Sequence, residues 1–117
     1  MLDFLKKLFR ATPIPVAQPR RMKVYTAESG YIYHYYYLGR QEEEYRFEIS
    51  ADRRTWSVHT VELDAAGTRR FTANERYGLA KLSLFAAFDG AESPQGLGVR
   101  IRPRAEQIAD YIYRLGL

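Results

Sequence analysis

At 117 residues, with 46% apolar and 27% charged side chains, the chain has the size and composition of one folded domain, too apolar for disorder and too often interrupted by charge for a membrane span. It has no cysteine, which excludes disulfides, thiolate metal sites and thiol nucleophiles. The net charge of +4 is uneven: residues 1–23 carry six basic side chains against one acidic, a net of +5, and the remainder carries 12 basic against 13 acidic, so a near-neutral domain bears a basic arm.

Residues 1–11 read as a short amphipathic helix. At about 100° per residue, Leu2, Phe4, Leu5, Leu8 and Phe9 fall on one side and Asp3, Lys6, Lys7 and Arg10 on the other. Thr12-Pro13-Ile14-Pro15 stops that helix, and Pro19 keeps residues 12–22 extended as a basic linker. The apolar run is too short and too broken by lysine for a signal peptide, which places the chain in the cytoplasm.

From residue 23 the period becomes that of strands. Residues 23–28, 31–38, 45–51 and 56–63 are rich in Tyr, Val, Ile and Thr and are separated by turn-forming segments, which predicts an antiparallel meander. Residues 64–67 read as a further turn and 68–71 as a short edge strand. Thr72 followed by Glu75 predicts a capped helix that runs to Gly90 and, with Tyr77, Leu79, Leu82, Leu84, Phe85 and Phe88 around it, forms the centre of the core. Residues 99–102 suit a last short strand. Pro103 suits the first turn of a final helix with Ile108, Ile112 and Leu115 on one stripe and Tyr111 and Tyr113 at its margins. The expected fold is therefore α+β: a four- to five-stranded antiparallel meander packed against two C-terminal helices, as one domain spanning 23–117.

Four features could carry function. An isolated helix of ten residues is unstable in water, so the N-terminal segment must bury Leu2, Leu5, Leu8 and Phe9 against its own domain, a second copy, another protein or a membrane. Lys6, Lys7, Arg10, Arg20, Arg21 and Lys23 would assist on an anionic membrane. Tyr31, Tyr33, Tyr35 and Tyr37 line one face of a strand; the opposite row, Ile32, His34, Tyr36 and Leu38, has aliphatic ends and is expected to face the core, leaving the tyrosine row outside. That outer row suits a protein contact. Its spacing of about 6.6–6.8 Å also suits stacked bases, but Glu42, Glu43, Glu44, Glu48 and Glu62 on or near the adjacent strands would repel phosphate.

His34 and His59 are the only histidines and have no metal-ligand spacing. A catalytic role for either requires a pocket with a hydroxyl or carboxylate in hydrogen-bond reach. Gly96-Leu97-Gly98 lacks the third glycine of a phosphate loop, and Lys81 is expected to cover apolar surface with its stem while its ammonium reaches water. The sequence thus predicts a non-enzymatic, self-associating or protein-binding domain without metal or cofactor. A peripheral membrane or single-stranded nucleic-acid binder is the first alternative, and a small histidine-dependent hydrolase or isomerase the second.

Overall fold

The computed structural model describes residues 20–117; the predicted N-terminal helix and residues 12–19 of the linker lie outside them. Five strands form one sheet in sequence order: β1 (Lys23–Thr26), β2 (Ile32–Gln41), β3 (Glu44–Ser50), β4 (Ser57–Glu62) and β5 (Arg100–Ile101). The first four are an antiparallel meander, as expected. β5 pairs with β4 in parallel, so the chain crosses over between them through helices α1 (Ala65–Thr68) and α2 (Ala73–Gly90) and a 3-10 turn at Pro94–Gly96. Helix α3 (Ala105–Leu115) follows β5 and packs on α2.

Residues 68–71 are not an edge strand. Asp64 accepts the Gly67 N–H at 3.1 Å, and the Thr68 hydroxyl donates to the Asp64 carbonyl at 2.8 Å. These bonds wind 65–68 into a helical turn and bury Thr68 completely. The Thr72–Glu75 capping box forms as predicted, with Glu75 N–H to Thr72 Oγ1 at 3.2 Å and Thr72 N–H to Glu75 Oε1 at 2.9 Å. The last helix starts at Ala105, so Pro103 precedes it instead of standing in its first turn; Arg104 is the N-cap, with its N–H donated to Gln107 Oε1 at 2.8 Å. Tyr111 belongs to the buried stripe of α3 with Ile108, while Leu115 lies at its exposed edge. Gly78 lets α2 and α3 approach closely, since a Cβ there would stand 3.2 Å from Leu115 Cδ1.

The tyrosine row faces the core, not solvent. Tyr33 and Tyr35 are only 1% and 3% exposed, whereas Ile32 is 46% exposed. A one-residue bulge is responsible. Gln41 stands opposite Glu44 and Arg40 opposite Tyr45 beside the turn, but beyond a register shift at Leu38 it is Tyr37 that opposes Phe47 and Tyr35 that opposes Ile49. Without the extra residue Leu38 and Tyr36 would occupy those places, and the aliphatic-ended row would face inward. Gly39 sits at the bulge with φ +130°, a conformation open to glycine and strained for other residues. Slipping a strand by one residue exchanges its two faces.

Once turned inward, the tyrosines pack on the phenylalanines of α2. Tyr33 stacks on Phe88 at 4.3 Å between centroids and Tyr25 on Phe85 at 4.4 Å, with planes within 10° of parallel. Phe47, Val61, Leu79 and Leu84 complete the core.

Candidate functional site

The sheet has two unlike faces, and each presents one candidate site. On the face away from α2 and α3, strand alternation and register place Val24, Ile32, His34, Tyr36, Glu48 and Val58 together. Val24 is 55% exposed and Val58 46%. Trp56, just before β4, lies against Tyr36 with ring centroids 5.3 Å apart. Arg20 crosses the same ring, its guanidinium carbon 5.3 Å from the Tyr36 centroid, and pairs with Glu48 at 3.3 Å. The first described residue of the chain is thus anchored on this face. Towards the far end of the strands the face turns ionic: Arg100 bridges Glu44 at 3.2 Å and Glu62 at 3.4 Å, and Arg102 reaches Glu62 at 2.7 Å. Those arginines hold the Glu62 carboxyl below its usual range.

The second candidate is a cleft of about 460 Å³ where the core face of the sheet meets the 3-10 turn. Ser57 and His59 stand two apart on β4 and therefore on one side, opposite Ile49 and Phe47. His59 is buried, and both ring nitrogens are engaged: Nδ1 lies 2.7 Å from the Gly98 carbonyl and Nε2 lies 2.8 Å from Ser57 Oγ. A carbonyl oxygen can only accept, so Nδ1 carries a proton; in the neutral ring Nε2 then accepts from the Ser57 hydroxyl. Asp52 lines the cleft and accepts the N–H groups of Thr55 and Arg54, each at 2.8 Å, and the Ser50 hydroxyl at 3.0 Å. These bonds lower its carboxyl to about 2. Tyr33 is also among the lining residues, but it is buried, and its hydroxyl has no hydrogen-bond partner among the described residues.

The remaining sequence candidates disperse. Leu2, Leu5, Leu8, Phe9, Lys6, Lys7 and Arg10 lie outside the described residues. Arg21 is exposed, and Tyr31 is 43% exposed at the rim of the cleft. Tyr33 and Tyr35 are covered by α2 and offer no free ring for stacking, while Tyr37 is half-buried against Tyr77 at 4.8 Å. His34 stands on the outer face, 25 residues from His59 in sequence and on the opposite side of the sheet. Lys81 is of intermediate exposure, and its ammonium lies 5.9, 5.3 and 5.5 Å from the centroids of Tyr35, Tyr77 and Phe85. Burial, and then the charge of Lys23 beside it, push its pKa down.

Sequence reasoning missed one of the two partners of His59. Ser57 was visible from its i, i+2 spacing, but Gly98 arrives only through the parallel crossover. No known family matches the chain, and neither a curated protein nor a solved structure is detectably similar to it. No helix among the described residues is long and apolar enough to cross a membrane.

Proposed function

We propose that this chain is an interaction domain that self-associates, a second copy burying the outer sheet face together with the amphipathic arm. The observation that carries this reading is the open apolar patch of Val24, Ile32 and Val58, each about half exposed beside Tyr36 and Trp56. Exposed apolar side chains interleaved with a charge pair suit a protein interface, and two sheets stack favourably face to face. The anchoring of Arg20 across Tyr36 supports a contribution from the arm, because the chain before it starts beside the patch. The stripe of Leu2, Leu5, Leu8 and Phe9 needs an apolar surface, and the outer face is one of matching kind.

Light scattering after size-exclusion chromatography tests this on the full chain, on residues 20–117 and on Val58→Lys, at low salt and at about 1 M salt, where exposed charges are screened within about 3 Å. The expected result is an oligomer that survives high salt, weakens on removal of the arm and dissociates in Val58→Lys with its circular dichroism unchanged. A full chain that is monomeric at every concentration overturns the proposal, as does an oligomer that salt dissolves.

A further inference from the structure

The outer face leaves the chemistry of the cleft unused. We propose that Ser57 and His59 form a nucleophile and general base that cleave small carboxylic esters bound in this cleft. Three relations required of such a pair are present. The hydroxyl donates to an imidazole nitrogen at 2.8 Å; the other nitrogen is tied at 2.7 Å to an acceptor that fixes the tautomer; and the hydroxyl belongs to an exposed residue at the edge of a cavity large enough for a small molecule. The Gly98 carbonyl takes the place that a carboxylate holds in a full triad. It orients the ring but carries no charge to stabilise the imidazolium, so turnover is expected to be slow.

The reaction balances without a cofactor. Ser57 Oγ attacks the ester carbonyl carbon as its proton passes to His59 Nε2. The C–O bond to the alcohol breaks, and the imidazolium returns that proton to the departing alkoxide. Water, activated by the same nitrogen, then hydrolyses the acyl-serine to the acid and restores the hydroxyl. The cleft selects the substrate class: Ile49, Leu97, Pro94 and the Tyr31 ring receive an apolar acyl group, while ionised Asp52 disfavours anionic esters.

The test uses the full chain with phenylmethanesulfonyl fluoride, followed by peptide mass spectrometry, and with p-nitrophenyl butyrate. The expected result is a sulfonyl adduct on Ser57 and ester hydrolysis that falls about 100-fold in Ser57→Ala. His59→Gln should lose the adduct although the serine remains. Ser57 is exposed, so its alanine variant reads out chemistry independently of any folding defect at His59. No adduct on Ser57, or hydrolysis by Ser57→Ala at the wild-type rate, overturns the proposal.

Discussion

The two faces of the sheet are built from alternate residues of the same strands, yet they meet opposite fates. Tyr33 and Tyr35 vanish beneath Phe88, while their neighbours Ile32 and His34 lie on the uncovered side. Residue type does not explain the difference, because Ile32 is more apolar than tyrosine. Placement relative to α2 explains it, and a single bulged residue at Leu38 sets that placement. The covered face holds the fold together. The open face retains apolar surface that the described fold leaves unburied, which is why we propose association through it.

Substitutions in the covered face should have the largest effect. Phe88 is fully buried and lies within 6.1 Å of the ring centroids of Tyr25, Tyr33 and Tyr35. Phe88→Ala should cost about 3–5 kcal/mol in urea unfolding; a cost near zero would mean that α2 does not cap the tyrosine row. Gly39→Ala should cost roughly 1–3 kcal/mol through backbone strain at φ +130°, with open space around its new methyl group. A stabilised Gly39→Ala would contradict the bulge.

The phenols sharpen the contrast further. Burial first, then the 2.6 Å bond to Asp89, pushes Tyr25 up to about 12; burial first, then neighbouring tyrosines, does the same for Tyr35 and Tyr37. The folded value lies above the unfolded one near 10, so the neutral form is favoured by folding. That contribution is complete below pH 10 and is lost as pH rises towards 12. Absorbance at 295 nm should therefore show these three phenols silent at pH 10 and ionising only with alkaline unfolding. Ionisation of all ten tyrosines by about pH 10 would contradict their burial. The smallest expected effect is at the open face: Val58→Thr should change monomer stability by no more than about 0.5 kcal/mol.

Much of the fold was legible in sequence because local rules governed it. The four-strand meander, the Thr72–Glu75 cap and the core helix each follow from patterns within a few residues. The helical turn at Ala65–Thr68 was missed because one Asp64 cap outweighed the strand-like residues 68–71. The face of β2 was misread because alternation gives two faces but not their sides; β3, with Tyr45, Phe47 and Ile49 against Arg46 and Glu48, held that information, and only the bulge connects the two registers. Of the Ser57–His59 pair, only the spacing was visible. The Gly98 carbonyl that orients the ring is 39 residues away and comes into place through the parallel crossover.

Trp56, the chain's single tryptophan, packs on Tyr36 at the open face and reports directly on whether that face is covered. Acrylamide quenching of its fluorescence, followed from dilute to concentrated protein in the full chain and in Val58→Lys, is the most direct test. Self-association through the outer face predicts that quenching weakens as concentration rises and that Val58→Lys abolishes the dependence. Quenching that stays constant while light scattering reports a growing mass would place the contact elsewhere and contradict the assignment.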